Sequence, residues 1–386
     1  MDLNGLLRYA VELGASDVHL KLGRPPVIRR DGGLAAVETA PLDDAALASV
    51  LEKVGARSPE RLAAFHANGD LDIAYQDEDL PRFRVNAYRQ RGATSFAFRV
   101  IPRHVPTLDQ LGMPAAVRTL ADEHRGLILV TGATGSGKTT TLAAMIDHMN
   151  KTRSQHVITI EDPIEILHED QGCIVNQREV GLDTTDFGQA LRRALRQDPD
   201  IILIGELRDA ETAQTALQAA ESGHLVLSTL HTIDAAETVG RMVEFFPPEK
   251  QVVIRSILAG VLRGVVSQRL LPRLDGGRIA AVEVMVMNAR IADLIREGRP
   301  DEITDAVAEG EYFGMQTFTQ ALIDRVLSGA VDREVAANAA THRHDFLVAL
   351  ERALKQKRAD EAPEEPATAR TPDAALDTGL RIVPAG

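Results

Sequence analysis

The sequence predicts an α/β protein, with a mostly parallel sheet in its larger part and a smaller α+β domain ahead of it. Three observations carry that prediction. From Gly126 to about Val286, strand-like runs alternate with helical segments, as a parallel sheet with crossover helices requires. Between residues 71 and 101, three runs alternate apolar and polar residues, the period of half-buried antiparallel strands. The chain has 386 residues, 44% apolar and 26% charged, enough to build two or three domains with sizeable cores.

The elements follow in order. Residues 1–105 form the α+β domain. Leu3, Leu6, Leu7, Ala10 and Val11 fall at helical spacing, and Gly14 suits the stop. This is the single helical segment expected there. Leu71–Tyr75, Arg82–Tyr88 and Thr94–Ile101 read as strands, with Gly92 at a turn between the last two. Residues 102–114, with Pro102, Pro106 and Pro114, read as the start of a linker, and residues 106–125 are assigned to it in the domain division. In the core, residues 126–287, strands are expected at Gly126–Val130, His156–Ile160, Ile201–Ile204 and His224–Ser228. Helices are expected at Lys138–Asn150, Asp186–Gln197 and Ala210–Ser222. Residues 288–355 are mainly helical. Residues 356–386, with their Glu-Ala-Pro-Glu-Glu-Pro run, read as a disordered tail.

Composition removes several function classes. Acidic residues outnumber basic ones 56 to 43, a net charge of −13, which disfavours nucleic acid as a partner. The one cysteine, Cys173, excludes an internal disulfide and a four-cysteine zinc site. The most apolar long stretch, Val252–Val266, is interrupted by Arg255 and Arg263, and no basic-then-apolar leader opens the chain. A cytoplasmic location is expected, with any membrane association routed through a partner.

The strongest chemical signal is Gly132-Ala133-Thr134-Gly135-Ser136-Gly137-Lys138-Thr139-Thr140, which matches G-x-x-x-x-G-K-[ST]. Glycines let successive N–H groups turn around phosphate oxygens. Lys138 is suited to the β- and γ-phosphates and Thr139 to Mg²⁺, and the strand before and helix after supply the required context. With seven lysines in the chain, a chance match is rare. A second signal is Ile201-Ile-Leu-Ile-Gly-Glu206, an apolar strand ending in a carboxylate that can activate water beside the phosphate loop. Gly205 stands where many P-loop proteins carry Asp, which leaves more of the work to Glu206. Arg208 can offset phosphate charge, or simply pair with Asp209. Glu161, Asp162 and Glu165 follow another strand; alone, such an acidic loop is more often merely solvated. Gly223–Thr232 is another strand with a His near each end, His224 and His231. The one at the C-terminal end could sense the γ-phosphate by a hydrogen bond, although a lone His is more often structural. The first domain carries Arg82, Arg84, Arg89, Arg91, Arg99 and Arg103. Arginines scattered on strands ordinarily face solvent, but one delivered from another domain can stabilise charge during phosphoryl transfer.

Taken together, residues 1–350 resemble the PilT/PilU family of type IV pilus retraction ATPases, within the secretion ATPase superfamily. The resemblance rests on Gly14–Leu20, Phe83–Gly92, the phosphate loop, Ile160–Glu165, Val175–Glu179, Gly205–Asp209, the paired histidines, Val265–Leu271, Asp293–Glu297 and Gly314–Thr317. It implies a PAS-like first domain, a RecA-like core and a homohexamer with ATP between the two domains of each subunit. It also implies roles. Glu161–Glu165 matches the aspartate box, with Glu161 as a catalytic or metal-holding residue beside Thr139. Glu206 matches the residue that activates water, and His224 and His231 match the histidine box. Arg84, Arg99 and Arg208 match arginines that reach the γ-phosphate. Implied partners are an inner-membrane platform protein, which would hold the ring at the inner face of the cytoplasmic membrane, and a paralogous pilus motor. One departure is Ala292, where the family's retraction motif has Arg. Pilus assembly or type II secretion ATPases share the chemistry. They usually carry a further N-terminal domain and often a four-cysteine zinc insert, so the 125 residues ahead of the core and the single cysteine favour retraction. An accessory ring partner of a sister motor is the other alternative.

Overall fold

Two sheets organise the chain. The computed structural model describes residues 2–30, 33–77, 80–101 and 105–360. In the first part, α1 (Leu3–Glu12) precedes β1 (Asp17–Lys21), β2 (Val27–Arg30) and β3 (Gly33–Ala36). Then come α2 (Asp44–Gly55), α3 (Pro59–Asn68), β4 (Asp70–Tyr75), β5 (Phe83–Gln90) and β6 (Ala93–Val100). The sheet is antiparallel in the order β3-β2-β1-β6-β5-β4. Phe83, Val85, Ala87, Phe96 and Phe98 point into a core closed by α1 and α2. The β5–β6 turn uses Arg91 and Gly92, both at positive φ (52° and 82°), the geometry a tight hairpin prefers.

The expectation of one helix here falls short. Leu47, Val50, Leu51 and Val54 form the buried stripe of α2 behind an Asp43 N-cap, and α3 opens on Pro59 and ends at a left-handed Gly69. The linker also needs correcting. Within residues 106–125 lies α4 (Ala115–Ala121), whose Val117 and Leu120 are buried against the larger sheet.

The larger sheet runs β13-β12-β7-β11-β10-β8-β9. Its elements are β7 (Gly126–Thr131), α5 (Lys138–Thr152), β8 (His156–Glu161), β9 (Ile174–Glu179), α6 (Phe187–Ala194) and β10 (Ile201–Ile204). They continue with α7 (Ala210–Glu221), β11 (Leu225–Leu230), α8 (Ala235–Glu244), α9 (Pro248–Val261), β12 (Leu262–Pro272) and β13 (Arg278–Val286). All pairings are parallel except β12–β13. β7, β10 and β11 are buried along their whole length, which is why they read as unbroken apolar runs. Next come α10 (Ala289–Glu297), α11 (Ile303–Ala308), α12 (Phe318–Leu327), α13 (Arg333–Ala339) and α14 (Arg343–Asp360). Helix α14 therefore continues into the first five residues expected to be tail, and 361–386, like Arg103, lie outside the described residues.

Candidate functional site

Parallel order sets the site. The C-terminal ends of β7, β8, β10 and β11 share one edge of the sheet, where ligands bind in such folds. From these ends emerge the phosphate loop, the Glu161–Glu165 segment, Glu206 and His231. They enclose a cleft of 640 Å³ whose lining also includes Arg84 and Arg99 from the first domain.

The phosphate loop follows from its glycines. Gly132, Gly135 and Gly137 have φ of 138°, 79° and 94°. At Gly132 a Cβ would lie 2.4 Å from the Gln268 carbonyl oxygen, so no other residue fits without displacement. The loop delivers Lys138, Thr139 and Thr140 to the start of α5, whose N-terminus faces the cleft. Lys138 Nζ donates to the carbonyls of Gly132 (2.8 Å) and Ala133 (3.1 Å). Burial pulls its pKa down, while Glu206 and Glu165 pull the other way.

Glu206 sits between two basic groups. It is ion-paired with Arg208, and His231 Nε2 is 3.2 Å from its Oε2. Burial alone would raise the Glu206 carboxyl, but the hydrogen bonds and charges of Arg208 and His231 hold it below its ordinary range. Arg208 also lies 3.7 Å from Asp162 and stacks 5.9 Å from the Phe187 ring centre. A Cβ at Gly205 would come within 3.3 Å of the Ile160 carbonyl oxygen, so the strand end is crowded where other P-loop proteins carry Asp. Glu161 accepts from Thr159 (2.6 Å) and Gln177 (3.1 Å), both on Oε1, and burial raises its pKa despite those bonds. Arg84 and Arg99 are directly opposite each other on β5 and β6. Arg84 pairs with Glu165 at 3.8 Å and Arg99 with Asp17 at 3.0 Å.

The geometry has clear relatives. A family model described as type II/IV secretion system protein matches residues 1–289. The chain belongs to that family. It is 44% identical to the type IV pilus retraction ATPase PilT of Pseudomonas aeruginosa, over 90% of this chain and all of that protein. It is 40% identical to the type IV pilus ATPase PilU of the same organism, over 90% of each. Among solved structures, the pilus retraction motor PilT with bound ADP is 41% identical and superposes with a TM-score of 0.84, covering 89% of this chain and 98% of that one. Within the secretion family the chain is thus a nucleotide-using ATPase of the PilT/PilU type, and its larger sheet is the RecA-like core.

Not every expected residue of this PilT/PilU-type chain joins the cleft. Lys138, Thr139, Thr140, Glu161, Glu206, His231, Arg84 and Arg99 line it together. Arg208 borders it through Glu206. His224 does not join: it precedes β11 at the far end of the sheet, its Nδ1 3.0 Å from both Ser222 Oγ and the Ala219 carbonyl. Ala292 is on the buried face of α10 with Ile291, Leu294 and Ile295. Two titratable lining residues were not anticipated, Arg278 on β13 and His168, which burial holds down to about 4 and hence neutral near pH 7. Gln177 was passed over too. It is on β9, an edge strand too polar to read as one, and its one signal was its place in the Val175–Glu179 segment of the family resemblance.

Proposed function

We propose that the protein is a homohexameric motor that hydrolyses ATP to power type IV pilus retraction. One observation carries this reading: the phosphate loop, Glu206 and two arginines from a different domain share one cleft. Chemistry in such a cleft depends on where the first domain sits, so turnover can move that domain. The similarity to PilT over its full length supports retraction as the direction of work.

In this reading the loop amides and Lys138 hold the β- and γ-phosphates, and Glu206 orients the attacking water. Arg84, Arg99 and Arg208 offset charge on the transferred group. The pairing of Glu206 with Arg208 and His231 keeps it ionised, as an acceptor for a water proton must be. Mg²⁺ suits the same cleft. It takes one or two protein oxygens plus substrate phosphates, and Thr139 and Glu161 offer oxygen donors there. It would neutralise charge between the β- and γ-phosphates. Among the described residues no three His, Cys, Asp or Glu side chains converge as a metal cage, and none of the helices is long and apolar enough to cross a membrane. Docking on an inner-membrane platform protein at the inner face of the cytoplasmic membrane completes the reading.

The test is a count of surface pili in cells carrying Glu206→Gln. Excess pili that never shorten support retraction; bald cells mean that the chain drives assembly instead. The likeness to PilU favours a second reading, an accessory ring beside a paralogous motor. Purified protein with no ATP turnover above its Lys138→Ala variant would establish that alternative.

A further inference from the structure

The proposed chemistry needs Arg84 held at a fixed place over the phosphate loop, yet Arg84 itself is half-exposed and, among the described residues, its one ion pair is a long one to Glu165. What holds it lies two residues away. Phe83 and Val85 are fully buried in the first domain's own core, so the alternating Arg82 and Arg84 face the other way, toward the ATPase core. Arg82 Nη2 reaches Glu179 Oε2 at 2.5 Å. Glu179 ends β9, in register with Glu161 at the end of β8, and its side chain is 1% exposed.

Glu179 is a junction. Its Oε2 also accepts from the Ile164 N–H at 3.2 Å, inside the acidic segment that carries Glu165, the partner of Arg84. A closed circuit results: Glu179 to Arg82, two residues to Arg84, across to Glu165, and back through Ile164. Arg61 adds a second staple. Its guanidinium donates to Asp72 in the first domain and to Val180 and Gly181 just past β9, at 2.8, 2.9 and 3.1 Å. A cavity of 220 Å³ joins this junction to the active site, lined by Arg61, Glu179, Arg84, Asp162 and Arg208. The joint also has room to tighten. Among the described residues Glu179 Oε1 and Arg82 Nε are buried without hydrogen-bond partners, and Arg61 Nη1 stands 3.9 Å from that oxygen.

We infer that Glu179 is a positioning residue for hydrolysis: through Arg82 and Ile164 it registers the first domain on the core and so places Arg84 over the transferred phosphoryl group. This rests on the proposed role of Arg84. Glu179 touches no reacting atom, so its loss should act only through Arg84.

The test is a double-mutant cycle on the full-length protein, reading ATP turnover and ADP affinity. Arg84→Ala should slow kcat. Glu179→Gln keeps the size of the side chain and an acceptor for Ile164 but removes the charge. It should lower kcat by about ten- to a hundredfold, the effect of misplacing a reacting partner by a fraction of an ångström to about 1 Å, with ADP affinity kept. In the Arg84→Ala background the same change should add less than a twofold effect, about the spread expected of independent noise. Equal losses in both backgrounds, or parallel loss of ADP affinity, would show a general structural role and overturn the inference. Slow Arg84→Ala with unimpaired Glu179→Gln also overturns it while leaving the role of Arg84 intact. Unimpaired Arg84→Ala removes that role and this inference with it. Should Glu179→Gln fail to assemble, Arg82→Lys, which keeps the charge but not the reach, enters the same cycle with the same expectations.

Discussion

Glu283 offers a stability prediction whose sign reverses with pH. This buried β13 carboxyl accepts the first N–H of α8 (Ala235, 2.9 Å, on Oε1) and the first N–H of α12 (Phe318, 3.4 Å, on Oε2). It thereby ties the C-terminal helices to the helix that follows the His231 loop. Burial, reinforced by Asp234 and opposed by those amides and Arg269, raises its pKa from an ordinary 4.5 to about 7. Between these values the folded chain keeps a proton that the unfolded chain has lost, so stability falls as pH rises through the window and levels off above it. At 1.36 kcal/mol per pH unit the loss is about 3 kcal/mol. Glu283→Gln removes the titration. It also removes one acceptor, leaving the Phe318 N–H weaker by about 1 kcal/mol, the low end for so long a bond. The variant should therefore be less stable than the parent by about 1 kcal/mol near pH 5 and more stable by about 2 kcal/mol near pH 8.5. Urea unfolding of both proteins at the two pH values measures this, because every other titrating group cancels in the difference. An offset that is the same at both pH values would refute the reasoning.

Two further outcomes follow from the cleft. Lys138→Ala should cut ATP turnover by at least about a hundredfold, as loss of a charge-stabilising donor does, and steady-state hydrolysis assays read it directly. Arg99→Ala should separate stability from chemistry. Its pair with Asp17 involves a guanidinium that is 68% exposed, so melting should barely move, within the roughly 0–1 kcal/mol of a surface pair, while kcat falls. A large fall in melting temperature with unchanged kcat would make Arg99 a structural residue.

How much of this was legible depended on whether function and local pattern coincide. The phosphate loop is contiguous, so its glycines, Lys138 and Thr139 announce themselves. Glu206 is legible because a fully buried strand, β10, runs straight into it. The α2 stripe and the Pro59 start of α3 are both legible in the sequence. Helix α4 was masked by the prolines before it. Other features carry no local mark. Arg82 and Glu179 are 97 residues apart, and nothing near either says that the other is buried beside it. His224 shows the converse error. A motif pairs it with His231, but six strand residues, Leu225–Leu230, put the two at opposite ends of β11.

Burial separates the exposed ion pairs around the cleft, which can exchange partners, from the buried Arg82–Glu179 pair, which cannot. Arg84 with Glu165, Arg99 with Asp17 and Arg208 with Glu206 each join a guanidinium at least 40% exposed to a carboxylate. Water screens such pairs, and each is worth about 0–1 kcal/mol, so giving up the carboxylate for a transferred phosphoryl group costs little. Arg82 with Glu179 is different, at 14% and 1% exposure. Separating a buried pair leaves a charge without compensation, at a cost of about 3–5 kcal/mol, which no exposed partner offsets. A motor that moves one domain against another needs both kinds of contact. In the proposed motor the weak pairs around the cleft can follow the nucleotide, while the buried one holds the first domain against the core. If the assignments were reversed, with the buried pair breaking at each cycle, every turnover would have to supply those 3–5 kcal/mol before any work was done on the pilus. The exposure of the three cleft arginines is therefore a condition for efficient coupling.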